Sequence, residues 1–540
     1  EEATMVIFLF MIGEMLEGFA ATQARKGISS LMNLMPEKAV VIVNNQRITV
    51  FSHTLKMGDI IESSAGTRLP ADGLLLSKTA LIVQSALTGE SIPVEYQKGS
   101  KIMAGSLIVD KTIRLEVVSN SGQNAVDRIL QLIEKAELQK APIERFIDKF
   151  SRIYTPLIVL LALLVMLIPP LFLHQPWYDW IYRGLTLLLI GCPCALVIST
   201  PATITSALST AAKQGILIKG GATLELLGQI KIIAFDKTGT LTIGKPQVTD
   251  VITYELTTEQ LLQKAAAIEI GSTHPLAKAI IEYATIQSIT FIEAQSRKTI
   301  TGIGTQGKLL NETIYLLAPN KSQYINLEIT SDWQTKIKRL EKQGKTVVIV
   351  ANTEKIYGII ALQDQLRAEA MDTITFLKAM GIKPIMLTGD NYLTAKAIAT
   401  QLNIDTFYAE LLPIDKLHHI EQLNTYSPTA MIGDGINDAP SLKAAMVGIA
   451  MGEGTDVALE TATVALAHNR LLSLPSLIKL AKAANYNIRQ NITLALCTKV
   501  FFLITSMVGI TGLWIAVLAD SGTTALVTAN ALRLLRFKDK

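Results

Sequence analysis

The run Asp236-Lys237-Thr238-Gly239-Thr240-Leu241-Thr242 follows a short apolar stretch at 232–235 that reads as a buried strand. A carboxylate at the carboxyl end of a parallel strand projects into the crevice where such sheets bind ligands. The backbone N–H groups of the Thr238-Gly239-Thr240 turn suit a phosphate, and Gly239 permits the close approach. A lone Asp in this setting more often caps the next helix, but three further pieces oppose that reading. Thr388-Gly389-Asp390 closes the strand at 383–387 with a hydroxyl able to bind a phosphoryl oxygen. Lys416, within Pro413-Ile414-Asp415-Lys416, is a cation suited to offset charge on a transferring phosphoryl group. Gly433-Asp434-Gly435-Ile436-Asn437-Asp438 follows the strand at 430–432, and Asp434 and Asp438 join Asp236 as hard oxygen ligands for magnesium. The set assigns Asp236 as a covalent nucleophile that accepts phosphate, with Lys416, Thr388 and Thr238 around it.

A second constellation is apolar in its surroundings. Cys192-Pro193-Cys194 interrupts a hydrophobic run, where proline removes a helix hydrogen bond and forces a kink or unwinding. A single buried cysteine is usually an inert small hydrophobe. Two thiols bracketing a helix-breaking proline point instead to a soft-metal site. Lys499 and Asp520 are ionisable residues in apolar segments, costly there unless paired or functional. One reading is a mutual ion pair that locks two helices. The other makes Asp520 a carboxylate ligand beside Cys192 and Cys194, with Lys499 replacing the charge of the departed ion. Thiolates with a carboxylate favour a divalent borderline ion over copper(I).

These groups need two kinds of scaffold. Five stretches, about 4–20, 153–173, 182–203, 492–510 and 512–532, read as membrane-spanning helices. Basic residues follow the first (Arg25, Lys26) and the last (Arg533, Arg536, Lys538), which places the long stretches 21–150 and 204–490 in the cytoplasm. Trp177, Trp180 and Trp514 fall near predicted span ends, as interfacial anchors do. Residues 36–130 carry short Val/Ile/Thr runs broken by Gly and Pro, a small mostly β domain. From 215 onward, apolar strands at 232–235, 346–350, 383–387 and 430–432 alternate with helical patterns, as in a doubly wound α/β sheet, and about 246–358 reads as an insertion with its own strands.

Composition agrees with this division. A chain of 540 residues exceeds one hydrophobic core, and 49% apolar with 18% charged residues suits part soluble domain and part bilayer span. The net charge of +4 is too small to argue for nucleic acid, and no basic run is interleaved with aromatics. Three cysteines make no disulfide framework. Opening on Glu1, without the start or cleavage site of a signal peptide, the chain is expected to be a fragment.

The Asp-Lys-Thr-Gly-Thr-Leu-Thr run with the Gly-Asp-Gly-Ile-Asn-Asp loop resembles the phosphorylation domain of P-type ATPases, which has a haloacid-dehalogenase-like fold, and the Cys-Pro-Cys span resembles the metal site of their type IB heavy-metal group. The resemblance implies an α-helical transmembrane bundle, a mostly β actuator domain, and an α/β phosphorylation domain holding an inserted α+β nucleotide-binding domain. The expected divisions are 1–34 (helix and stalk), 35–130 (actuator), 131–217 (helix pair), 218–245 and 359–480 (phosphorylation domain), 246–358 (nucleotide-binding) and 481–540 (helix pair). Thr88-Gly89-Glu90, an exposed turn by chemistry alone, becomes the actuator loop whose Glu90 positions the hydrolytic water; Val83 and Gln84 depart from the acidic pair associated with that loop. His274-Pro275 reads by itself as a helix start. By resemblance, Glu269, His274, Gly302 and Gly304 line the adenine pocket, while Asp364 and Arg367 flank the nucleotide from the hinge side. Leu518-Ala519-Asp520-Ser521-Gly522 resembles the zinc, cadmium and lead exporters of this group. Glu2 is placed near the outer end of the first span, and Glu14 at the interface or on the ion path. The implied activity is ATP- and magnesium-dependent export of Zn2+, Cd2+ or Pb2+ from a bacterial cell membrane, with the lipid bilayer, ATP and metal ions as partners. A copper(I) exporter and a non-pumping metal-binding scaffold are the competing readings; a soluble phosphatase is excluded by the spans.

Overall fold

The computed structural model describes residues 36–44, 46–83, 93–120, 141–191, 193–272, 274–300, 303–309, 312–434, 438–452, 461–466 and 469–537, with isolated positions between 4 and 22. The chain divides into two units, one of Glu1–Gln229, Thr463–His468 and Ser476–Lys540, the other of Ile230–Ala462 and Asn469–Pro475.

In the first unit, strands Gln46–Phe51, Lys38–Val43, Ile60–Ser63, Ile113–Val117, Gly73–Leu75 and Lys101–Ile102 form an antiparallel sheet in that order, beside a three-stranded sheet of Val94–Gln97, Thr79–Val83 and Leu107–Ile108. Strict alternation sets the inner face: Ile113, Leu115 and Val117 are buried while Arg114 and Glu116 between them are exposed. Those side chains meet Ile61, Leu69, Leu75, Ile82 and Ile108 in one core.

The same unit holds the long apolar helices. Among the described residues, 4 segments are long and apolar enough to cross a membrane: Pro142–Leu173, Trp177–Lys213, Ser473–Met507 and Leu513–Arg536. Of the expected span at 4–20, the described positions are helical and the others lie outside the described residues. The helix expected at 153–173 begins earlier, at Pro142, because Pro142 occupies the first helical turn and the Glu144 carboxylate accepts from the Ala141 N–H. That expected at 492–510 begins at Ser473. The expected helix 182–203 is two helices, Trp177–Ile190 and Cys194–Lys213, broken at Gly191–Pro193 as the central proline requires. Close packing explains the glycines on its first half. A Cβ on Gly184 would sit 2.3 Å from Met166 Cγ, and one on Gly191 would sit 2.4 Å from Ile158 Cγ2.

In the second unit, five parallel strands run in the order Val447–Met451, Thr429–Gly433, Ile232–Asp236, Lys383–Leu387 and Thr406–Tyr408. Ala430, Met431 and Ile432 are buried in succession, the mark of a strand covered on both faces. The strand expected at 346–350 is not part of this sheet. Thr346–Ala351 lies in a separate six-stranded antiparallel sheet, ordered Thr242–Thr253, Ile356–Leu366, Thr346–Ala351, Glu312–Leu317, Gly304–Leu309 and Gln295–Ile300. Its apolar run is continuous because both faces are covered. Val350, Ile360 and Leu362 pack with helices Thr258–Glu269 and Pro275–Ile286, whereas Ile349, Ile359 and Ala361 pack with Ser331–Glu341.

Candidate functional site

Asp236 is the last residue of the central parallel strand, in register with Leu387 of its neighbour, so Thr388 follows at the same edge of the sheet. Helix Pro413–Tyr426 brings Lys416 to that edge, and its ammonium bonds both Asp236 and, at 2.8 Å, Asp438. All three are nearly sealed from solvent, with 5% of Asp236, 8% of Lys416 and 1% of Asp438 exposed. Burial, followed by the facing Asp438 carboxylate, pushes the Asp236 carboxyl up to about 6 against the pull of Lys416. Burial likewise raises Asp438. Burial alone would lower the Lys416 ammonium, but Asp236 and then Asp438 outweigh it and hold it above the usual lysine range. One cation shared by two carboxylates leaves the cluster net negative, and a further cation or a proton relieves it.

The loop after Asp236 turns through Gly239, which has a φ of 73°. A Cβ there would sit 2.9 Å from Asp434 Oδ2, so the glycine also admits the Asp434 carboxylate to the loop. Thr238 is exposed at the mouth, while Thr388 is buried, its hydroxyl accepting from the Asp390 N–H at 3.1 Å. Lys237, within the loop, bonds Asp390 at 2.5 Å. That bond was not anticipated from the sequence, although both residues belong to the motifs that were.

Asp364 and Arg367 were expected to flank the nucleotide. Within the chain, their contacts are with the loop after Asp236 and the strand leaving it. Asp364 accepts from Thr242 Oγ1 at 2.5 Å and from the N–H groups of Gly244 and Lys245 at 3.0 and 3.1 Å. Arg367 donates to the carbonyls of Thr240 at 2.9 Å, Gly239 at 3.1 Å and Asn469 at 3.0 Å. Both sit at the end of Ile356–Leu366, whose pairing with Thr242–Thr253 carries the chain between the two sheets of this unit.

In the inserted sheet, Glu269 ends a helix, is 7% exposed, and accepts from Thr305 Oγ1 at 2.6 Å. Its second oxygen, Oε2, is buried and has no hydrogen-bond partner among the described residues. An orphaned buried carboxylate oxygen needs a donor, and the exocyclic amine of an adenine is one. His274 caps its helix through Nδ1, accepting from the Leu276 N–H at 3.2 Å. Gly304 allows close strand pairing, since a Cβ would lie 2.0 Å from the Leu316 carbonyl oxygen. Gly302 and Glu90 lie outside the described residues.

Among the long helices, Lys499 donates to Asp520 at 2.9 Å and to the Ile190 carbonyl at 3.1 Å. Ile190 offers that carbonyl because its helix stops there and the last turn has no following residues to bond it. Ile190, Lys499, Phe502, Ala516, Asp520 and Thr523 line a small pocket. Cys192 and the side chain of Cys194 lie outside the described residues, as does Glu2, and Glu14 is exposed. Among the described residues, no three His, Cys, Asp or Glu side chains converge as a metal cage.

Residues 230–445 match the haloacid dehalogenase-like hydrolases, and residues 33–134 match the P-type ATPase actuator domain. A zinc/cadmium/lead-transporting P-type ATPase of Shigella sonnei is 55% identical across 99% of this chain and 72% of its own length. A cadmium-transporting ATPase of Staphylococcus aureus is 41% identical across 100% of this chain and 75% of its own. Among solved structures, a zinc-transporting PIB-type ATPase in the E2.Pi state shares 54% identity with a TM-score of 0.61, covering 99% of this chain and 87% of that one. The ordered phosphorylation edge, the β actuator, the inserted nucleotide-type sheet and the broken apolar helix have a common explanation: the chain belongs to the P-type ATPases that transport heavy-metal ions.

Proposed function

We propose that this chain drives zinc, cadmium or lead ions out across a bacterial cell membrane, with Asp236 as the residue phosphorylated by ATP. The observation that carries this reading is Lys416 bonded to both Asp236 and Asp438 at the carboxyl ends of the parallel strands. A scaffold without phosphoryl transfer has no use for two buried carboxylates held apart by a single cation.

In this reading an Asp236 carboxylate oxygen attacks the γ-phosphorus of ATP, the bond to the bridging oxygen breaks, and ADP leaves. Lys416 and Thr388 face the transferring oxygens, Thr238 closes the mouth, and the backbone held by Asp364 and Arg367 fixes the loop. Asp236, Asp434 and Asp438 would hold magnesium, a hard cation suited to carboxylate and phosphate oxygens that would supply charge neutralisation. Glu269, His274, Gly302 and Gly304 receive the adenine, with the free Glu269 oxygen as acceptor. Water positioned by Glu90 then attacks the aspartyl-phosphate, releasing inorganic phosphate and restoring Asp236.

The cargo reading rests on Asp520 and on the names its relatives carry. An acidic oxygen beside a Cys-Pro-Cys break suits a divalent borderline ion, and Lys499 neutralises the carboxylate once the ion has gone. Copper(I), which prefers wholly soft ligands, is disfavoured by that pair.

The test is acid-quenched trapping of labelled phosphate from ATP with each metal titrated in turn. The wild type is expected to form acid-stable phosphoprotein and to show zinc-, cadmium- or lead-stimulated turnover, and Asp236→Asn to form none. Stimulation by copper(I) alone would overturn the cargo assignment, and labelling that survives in Asp236→Asn would overturn the nucleophile.

A further inference from the structure

Beyond Asp520, the helices continue with polar chemistry that the ion pair does not use. The Thr203 hydroxyl lies 2.7 Å from the Ser199 carbonyl and 3.1 Å from Asn487 Oδ1. Asn491 Nδ2 donates to the same Asn487 oxygen at 3.1 Å, Asn530 Nδ2 donates to Asn491 Oδ1 at 2.9 Å, and Asn487 Nδ2 donates to the Asn530 carbonyl at 2.8 Å. Thr203, Asn487 and Asn491 are 0%, 2% and 1% exposed. The cluster therefore joins the three helices that carry Cys194, Lys499 and Asp520.

Nearby polar capacity exceeds what the protein fills. Thr200, Ser206 and Ser209 on the Cys194–Lys213 helix and Thr528 on the last helix have buried hydroxyls with no hydrogen-bond partner among the described residues. Such groups in a membrane bundle cost free energy unless water or an ion satisfies them. Their positions follow the same helices: Thr200 and Ser206 are one turn either side of Thr203, and Thr528 is two turns beyond Asp520.

The cluster lies to one side of the ion pair. Asn491 precedes Lys499 by about 12 Å along its helix and Asn530 follows Asp520 by about 15 Å along the next. Those helices run in opposite directions through the turn at 508–512, so earlier on one and later on the other is the same side. On that side Ser473–Met507 begins.

We propose that Thr203, Asn487, Asn491 and Asn530 form an oxygen-donor transit site that hands the divalent cation between Asp520 and the end of the bundle where Ser473–Met507 begins, an inference that rests on the export reading above. Neutral amide, hydroxyl and carbonyl oxygens bind a divalent ion more weakly than a carboxylate with thiolates. Weak, successive binding is what conduction needs, since an ion held too well does not move on. In this structure the amides bond one another and the route is shut; turning Asn487, Asn491 and Asn530 so that their carbonyl oxygens face inward opens it. The unpartnered hydroxyls of Thr200 and Ser206, one turn either side of Thr203, are further oxygen donors on the same helix.

The test uses the full chain in nanodiscs, comparing wild type, Asn491→Ala, Asn491→Gln and Thr203→Val. Two quantities are read: the zinc concentration giving half-maximal ATPase activity, and metal-free labelling by inorganic phosphate, the reverse of aspartyl-phosphate hydrolysis. Asn491→Ala is expected to raise half-maximal zinc tenfold or more and Thr203→Val about threefold, with phosphate labelling unchanged and Asn491→Gln partly restored. Unchanged half-maximal zinc in both Asn491→Ala and Thr203→Val overturns the proposal. So does a parallel fall of both readouts, which marks the cluster as helix packing alone. Wild-type turnover that no zinc, cadmium or lead stimulates instead removes the export reading.

Discussion

Lys416 bridges Asp236 and Asp438 with one ammonium, bonding the first directly and the second at 2.8 Å, with all three side chains buried. Removing that cation leaves two buried like charges facing each other. Lys416→Met is expected to cut phosphoprotein formation from ATP by about a hundredfold or more, in line with losing a preorganised cation from a phosphoryl-transfer site. Lys416→Arg, which keeps the charge but changes its shape, is expected to recover part of it. Quenched labelling at saturating ATP reads both, and a Lys416→Met chain that labels at wild-type rate removes the cluster from the chemistry.

The same cluster sets a pH dependence. Burial and Asp438 raise Asp236 to about 6, so its nucleophilic carboxylate is present above that pH and is lost as the pH falls through it. Single-turnover labelling is expected to decline below about pH 6. Asp438→Asn removes a charge that opposes ionisation of Asp236, so the surviving labelling should show its inflection at lower pH. An inflection that stays in place, or moves up, contradicts the coupling between the two carboxylates.

Sequence alone picked out the residues that meet at the strand ends, Asp236, Thr388, Lys416 and Asp438, because the strand-end motifs follow apolar runs and carry their own turn residues. It also located the helix break, since Pro193 admits few alternatives. It grouped Thr346–Ala351 with the parallel strands although the expected insertion at 246–358 spans it, because a strand buried on both faces has the same apolar run in a parallel sheet and in an antiparallel insertion. The hydrogen bonds from Asp364 and Arg367 to the loop after Asp236 were not legible, because local pattern does not show that both reach back more than a hundred residues. The Asn487–Asn491–Thr203 cluster was invisible for the same reason: three ordinary polar residues on two helices become a network only when those helices pack.

Asp364 acts on the loop through three hydrogen bonds, to Thr242, Gly244 and Lys245. Asp364→Ala frees the strand that leaves the phosphorylation loop without touching the adenine pocket. The expected result is an ATP affinity within about twofold of wild type and a labelling rate reduced by roughly tenfold to a hundredfold, since each bond to a charged acceptor is worth about 1.5–3 kcal/mol. Nucleotide binding measured by fluorescence titration beside quenched labelling separates the two. A large loss of affinity with an unchanged rate would return Asp364 to the nucleotide.

Glu269 makes the opposite prediction. Its Oε1 is satisfied by Thr305 and its buried Oε2 has no partner among the described residues, which leaves that oxygen able to accept from the adenine amine. Glu269→Ala is expected to weaken ATP binding by about tenfold, the scale of one hydrogen bond to a charged group, while the labelling rate at saturating ATP stays near wild type. GTP, whose base presents a carbonyl where adenine presents an amine, should be discriminated against by wild type and much less by the variant. Equal discrimination in both would show that Oε2 does not read the base.

Lys499 and Asp520 face each other at 2.9 Å among helices long enough to cross the membrane, and the ammonium also reaches the Ile190 carbonyl at the helix break. If Lys499 takes the place of the departed ion, losing it leaves the Asp520 carboxylate uncompensated in an apolar setting, and that carboxylate retains the divalent ion longer. Lys499→Met is therefore expected to keep metal-dependent labelling from ATP, to lower steady-state turnover about tenfold, and to retain more zinc after rapid desalting. Asp520→Ala is expected to lose zinc-dependent labelling while still accepting label from inorganic phosphate. Should Lys499→Met instead lose metal-dependent labelling as fully as Asp520→Ala, the pair is a structural lock between two helices, and the lysine has no part in releasing the ion.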